Sequence, residues 1–147
     1  MDIDSATKYI GGHSDRVAGA VSGESEAMAK VFEYRTFLGG MADPHTSWML
    51  ARSMETLAIR VERQSRSARQ VLDHIQKTPG APIKGINKIF SACTEDLAGS
   101  GDYKSAAIAQ AQQVNGGGLF AMELHGGRRA TFAFLDSLQD FILAVSF

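Results

Sequence analysis

From Pro44 to Lys77 the chain has no glycine and no second proline. Within that run Leu50, Met54, Leu57 and Val61 recur at steps of four, three and four, and Ala68, Val71, Leu72 and Ile75 renew the stripe. Apolar residues spaced this way line one face of a helix. The preceding pair, Asp43-Pro44, has the residue types that open one: an N-cap acceptor, then a proline at the first helical position. A helix of about 34 residues would be about 50 Å long. That exceeds one small domain, so the element is expected to bend or to cross a domain boundary. Thr78 to Pro82 is expected to stop it.

The elements on either side are shorter. Arg16 to Val21 reads as a buried strand, and Ser25 to Leu38 as a helix stopped by Gly39-Gly40. Beyond the long helix, Asn87–Ala92 is a weak strand and Thr94–Asp102 a polar loop. Tyr103–Val114 is an alanine-rich helix, Leu119–Leu124 a strand, Arg129–Phe141 a helix and Ile142–Phe147 a strand. On the last helix Phe132, Leu135 and Leu138 should share a side. Strand, helix and strand in succession imply an α/β or α+β layer. Of the 15 glycines, seven cluster at 11–12, 39–40 and 116–118, where turns join elements.

Composition narrows the function classes. An apolar fraction of 44% in 147 residues suits a globular chain of about one domain. The formal net charge of −1 gives no electrostatic case for a nucleic-acid partner. The longest uncharged run, Ser105 to Met122, holds three glutamines, an asparagine and three glycines, too polar for a membrane span. A lone cysteine, Cys93, excludes an internal disulfide and suits a reducing, cytoplasmic setting. His13, His45, His74, His125 and Cys93 have no metal-ligand spacing, so no metal is expected. Arg52, Arg60, Arg63, Arg66 and Arg69 alternate with Glu55 and Glu62, which suits a solvated or subunit-facing helix surface better than an RNA-binding face.

The chemistry concentrates in Ser5-Ala6-Thr7-Lys8-Tyr9-Ile10-Gly11-Gly12-His13-Ser14-Asp15. One amine stands beside two hydroxyls. In an extended backbone Ser5 and Thr7 would point to one side and could donate together to an anion such as a phosphate. A lysine there can serve as a point charge or as an amine that forms a Schiff base. Glycines 11 and 12 allow a tight turn. On the residues alone, a solvated lysine in a polar loop is the competing reading.

The string Ser-x-Thr-Lys-Tyr followed by Gly-His-x-Asp, here residues 5–9 and 12–15, closely resembles the lysine segment of the trans-sulfuration family. These are the pyridoxal-phosphate enzymes of cysteine and methionine metabolism, such as cystathionine gamma-synthase and methionine gamma-lyase. Arg52 to Leu57 resembles the family's Arg-Gly-Leu-Lys-Thr-Leu, with Ser53 and Glu55 as departures. Gly116–Gly118 before the Phe120 strand also fits, and Ala144-Val145-Ser146 resembles the start of the family's Ala-Val-Ser-Leu-Gly.

The resemblance implies an α/β fold of the fold-type I, aspartate-aminotransferase-like class. Residues 1–54 would end the large cofactor domain, and residues 55–147, a long linking helix plus an α+β layer, would form an incomplete C-terminal domain. It implies pyridoxal 5'-phosphate as cofactor, with Lys8 as Schiff-base lysine and proton shuttle, and Ser5 and Thr7 on the cofactor phosphate. Ser146 would lie near the substrate carboxylate, while His13 and Asp15 orient the turn. The reaction would be γ-elimination or γ-replacement on a sulfur amino acid or an O-acylhomoserine, by a lyase or transferase that assembles as a homotetramer. Only seven residues precede Lys8, whereas the family's cofactor-stacking ring and pyridine-pairing aspartate lie upstream. The chain therefore reads as a fragment, inactive by itself. The alternative is a truncated, non-catalytic product that associates through the Leu50–Ile75 stripe.

Overall fold

The computed structural model describes residues 1–77, 85–92 and 103–144. Thr78–Pro82, Cys93, the Thr94–Asp102 loop and Ser146 lie outside them. The chain divides into two compact units, Met1–Ile59 and a second beginning at Arg60.

In the first unit, β1 (Asp2–Ser5) pairs antiparallel with β2 (Gly19–Ser22), in a register from Asp2 opposite Ser22 to Ser5 opposite Gly19. β1 was not legible as a strand, because only its partner makes it one. β2 starts three residues later than its apolar run suggests, because Arg16 and Ala18 are taken up by other contacts described below. Helix α1 (Ser25–Leu38) has the expected bounds. Gly39, at φ 80°, closes it with its N–H donating to Arg35 O. No residue of α1 is buried, and Phe37 is 79% exposed.

Helix α2 (Pro44–Met54) opens as Asp43-Pro44 dictates. Asp43 Oδ1 accepts from His45 N at 2.9 Å and Thr46 N at 3.1 Å, and Oδ2 accepts from Thr46 Oγ1 at 2.6 Å. The run from Pro44 to Lys77 is not one helix. Glu55 N donates to Arg52 O, while Thr56 N and Thr56 Oγ1 both donate to Ser53 O, at 3.4 and 3.3 Å. The turn thereby tightens to three-residue spacing, and a side-chain hydroxyl competes for a backbone carbonyl. Helix α3 (Leu57–Lys77) then begins.

In the second unit, β3 (Ile86–Ser91) pairs antiparallel with β4 (Phe120–Leu124), which follows α4 (Tyr103–Gln112). Ile89 faces Met122 and Ser91 faces Phe120. Between Ile86, opposite Leu124, and Lys88, opposite Glu123, the register shifts, so Asn87 is an extra residue in the ladder. Its Nδ2 donates to Glu123 Oε1 at 2.7 Å. Leu72 of α3 is fully buried and forms the core with Ile89, against which Ile75, Ile86, Phe120 and Met122 pack. Ser65, also buried, shares its hydroxyl hydrogen between Val61 O at 2.7 Å and Asn115 Oδ1 at 2.9 Å, which fastens the Asn115–Gly117 bend to α3.

Helix α5 (Gly127–Ser137) starts two residues earlier than expected, because Gly126 at φ 91° turns the chain into it. Its half-buried face is Thr131, Phe134, Leu135 and Leu138, whereas Phe132 is 57% exposed. Ile142 to Ala144 carry no strand; their side chains are exposed and no strand among the described residues pairs with them.

Candidate functional site: the lysine turn

Lys8 sits in a wound turn that begins where β1 stops. Lys8 N donates to Ser5 O at 3.0 Å, Gly11 N to Ala6 O at 2.7 Å and Gly12 N to Lys8 O at 2.7 Å. Residues 6–12 thus coil through two overlapping helical turns. The coil closes tightly on buried Ala6. A Cβ on Gly11 would stand 2.9 Å from Ala6 O, so only glycine fits. The same added Cβ would come within 3.7 Å of Leu50 Cδ2, so this face of the coil is turned toward α2. Gly12 (φ 78°) and Ser14 (φ 54°) then reverse the chain toward β2. Ser14 is the one non-glycine residue with positive φ among the described residues.

Extended backbone ends at Ser5, so strand alternation does not carry through Thr7. Thr7 is instead locked to Ala18. Thr7 N donates to Ala18 O at 3.2 Å, Thr7 Oγ1 accepts from Ala18 N at 3.0 Å, and Thr7 Oγ1 lies 3.3 Å from Ala18 O as donor. These bonds continue the β1–β2 pairing past its last regular pair and fix the foot of the lysine turn. Ser5 is exposed at the strand end, and Lys8 is half-buried and engaged in a contact of its own. The turn therefore brings Ser5, Thr7 and Lys8 onto one short, rigid stretch.

The descending limb of the loop is held by charge. Arg16, with its side chain only 6% exposed, donates from Nη2 to Asp15 Oδ2 and from Nη1 to Ser53 Oγ at 3.2 Å. The Arg16 hydrogen bond, ahead of its charge, holds the Asp15 carboxyl below the usual carboxylate value against the opposing cost of burial. Sequence reasoning passed over Arg16. Its one signal was a cation opening an otherwise apolar run.

The arginine run lies on α2 and α3. Arg66 pairs with Glu62 at 2.6 Å, and both line a cleft of about 310 Å³ with Ser65, Arg69 and Asn115. Among the described residues no group of histidine, cysteine, aspartate or glutamate could hold a metal ion. No helix there is long and apolar enough to cross a membrane.

Comparison with known proteins names the class to which this chain belongs. The family model for Cys/Met metabolism PLP-dependent enzymes matches residues 1–147, and the chain belongs to that family. The cofactor of the family is pyridoxal phosphate. The chain is 32% identical over 143 residues to "Probable cystathionine gamma-synthase 2" of Arabidopsis thaliana, covering 97% of this chain and 32% of that one. It is 31% identical over 145 residues to cystathionine beta-lyase of Lactococcus lactis subsp. cremoris, covering 98% of this chain and 35% of the relative. A crystal structure of cystathionine gamma synthase from Xanthomonas oryzae pv. oryzae in complex with cystathionine superposes with a TM-score of 0.78 at 29% identity. It covers 98% of this chain and 35% of that one. The fold is accordingly the α/β architecture of the fold-type I pyridoxal-phosphate enzymes, and the chain spans about a third of the length of the relatives it matches.

Proposed function

We propose that this chain supplies the cofactor-bearing lysine turn and adjoining C-terminal layer of a pyridoxal-phosphate enzyme. Its reaction is γ-elimination or γ-replacement on a sulfur amino acid or an O-acylhomoserine. In this reading residues 1–54 close the cofactor domain, residues 55–147 belong to the C-terminal domain, and the working protein is a cytoplasmic homotetramer. The observation that carries the reading is the coil at residues 6–12, which presents Lys8 between the exposed Ser5 hydroxyl and the tightly closed Gly11.

The donor set fits the cofactor's anionic end. A phosphate only accepts hydrogen bonds, and Ser5 Oγ and Thr7 Oγ1 both carry a hydrogen to give. Thr7 keeps the bond from Ala18 N and turns its hydroxyl hydrogen from Ala18 O to the phosphate, so the foot of the turn stays fastened. Bound there, the cofactor supplies an electron sink for charge developing on the substrate carbons. Lys8 Nζ holds the cofactor in the resting enzyme. Once substrate binds, it carries a proton from one substrate carbon to the next. Ser146 is assigned to the substrate carboxylate by its match to the family's Ala-Val-Ser segment alone.

The test is to load the chain with pyridoxal phosphate, fix the linkage with borohydride and map the added mass by peptide. Label on Lys8, abolished in Lys8→Ala, is the expected result. Label spread evenly over exposed lysines such as Lys30, at the same rate as on Lys8, would overturn the proposal. The rival reading, a non-catalytic module that associates through the long-helix stripe, has less support. In that stripe Ala68 is buried, and Leu72 is already covered in the chain's own core.

A further inference from the structure

We infer that Arg16 is a positioning residue for Lys8, and that Ser53 is its anchor. The inference rests on the reading of Lys8 above. The starting point is a departure. Where the resembling segment of the family carries glycine after arginine, this chain has Ser53. A glycine there would offer Arg16 no side-chain acceptor. The serine does, at 3.2 Å from Arg16 Nη1.

The Arg16 side chain is only 6% exposed, and a covered cation is costly unless its donors are met. Nη2 meets Asp15 and Nη1 meets Ser53, so the planar fork spans two acceptors on different elements. One acceptor belongs to the lysine loop and the other to α2. Two residues further on, Ala18 grips Thr7, the residue directly before Lys8. The path from α2 to Lys8 is therefore short: hydrogen bonds join Ser53 to Arg16 and Ala18 to Thr7, and the backbone joins Arg16 to Ala18 and Thr7 to Lys8. A Cβ added at Gly11 would come within 3.7 Å of Leu50 Cδ2, so the other limb of the same loop also faces α2. The Arg16–Ser53 bond is what fastens the lysine turn to that helix. It is directional, so it fixes orientation as well as proximity. Arg16 touches neither cofactor nor substrate in this account; it sets where the Lys8 amine stands.

The experiment uses the full chain with Arg16→Met, Arg16→Lys, Ser53→Ala, Ser53→Thr and the double variant Arg16→Lys/Ser53→Ala. Two readouts are taken. One is the rate of borohydride-fixed cofactor attachment at Lys8 under saturating pyridoxal phosphate; the other is cofactor-free hydrogen exchange across residues 8–18. Arg16→Met, which loses both bonds of the fork, should slow attachment about tenfold. Ser53→Ala should slow it about threefold, and Ser53→Thr, which restores the hydroxyl, should return the rate to that of the parent. Lysine keeps the charge but cannot fork to two acceptors, so the double variant should be no slower than the slower of its two single ones. Exchange should quicken in residues 8–18 and remain unchanged in β3 and β4.

Attachment at Lys8 that is equally fast in the parent, Arg16→Met and Ser53→Ala overturns the inference and leaves the functional reading intact. Absence of attachment at Lys8 in the parent overturns the functional reading instead. Exchange then decides the clamp: faster exchange at residues 8–18 in both Arg16→Met and Ser53→Ala upholds it, and unchanged exchange overturns it.

Discussion

Around Lys8 the chain is held by polar contacts of fixed direction: the coil bonds from Ser5 to Gly12, the Thr7–Ala18 exchange and the Arg16 fork. Around Leu72 it is held by apolar contact, with α3 lying against a two-stranded ladder and Ile89, Ile86, Phe120 and Met122 covering one leucine. The first region buries little apart from Ala6, Gly11 and the Arg16 side chain; the second has an apolar core. Burial is non-directional and scales with area, whereas a hydrogen bond contributes less but specifies an angle. A region that must aim an amine is built from the second kind of contact, and a region that must only persist from the first.

That contrast can be broken in steps. Leu72→Ala should have the largest effect, about 2–5 kcal/mol of stability in the second unit, since it opens a cavity beneath Ile89. A urea titration followed by hydrogen exchange in β3 and β4 measures it. Protection of residues 6–12 should stay as it was; loss there in equal measure would show that the two regions do not stand apart. Asp43→Ala should act more weakly and elsewhere. The first turn of α2 loses its three cap bonds, and exchange at His45 and Thr46 should quicken about fivefold while the hairpin is unmoved.

The smallest effect is that of acid on the same cap. The Thr46 hydroxyl bond and backbone N–H bonds hold the Asp43 carboxyl below its ordinary value of 3.8. A carboxyl so lowered stabilises the fold in full above that ordinary value, and its contribution is lost as pH falls through the lower folded value. Fraying of α2 should therefore set in only below about pH 3.8. Asp43→Asn, which caps without charge, should remove the pH dependence while keeping most of the cap.

The sequence showed whatever is decided locally. Helix α1 could be read to the residue because Gly39 stops it, and the start of α2 because Asp43 and Pro44 open it. The lysine string was legible because order and spacing were enough. What escaped depends on partners far along the chain. β1 is a strand only because Val21 and Ser22 lie beside it. The Arg16 fork needs Ser53, 37 residues away. The break after α2 escaped for a different reason. It comes from a threonine hydroxyl reaching a carbonyl three residues back, and threonine is common in unbroken helices too. On α5 Leu135 and Leu138 lie on the half-buried side as expected and Phe132 does not, because Phe132 and Phe134 fit an apolar stripe equally well by composition and only packing chooses between them.

The extra residue in β3 has a consequence for how this hairpin tolerates change in length. Ile86 and Ile89 are three apart, and an unbroken strand would send side chains at that spacing to opposite faces. Asn87, unmatched in the ladder, absorbs the odd step and lets both isoleucines pack against the Leu72 core. Deleting Asn87 would leave the two isoleucines an even step apart and still on one face. Deleting Phe90 would instead carry everything after it to the wrong side. The strand thus has one dispensable place, and an alignment gap there would cost the hairpin little more than the bond from Asn87 to Glu123.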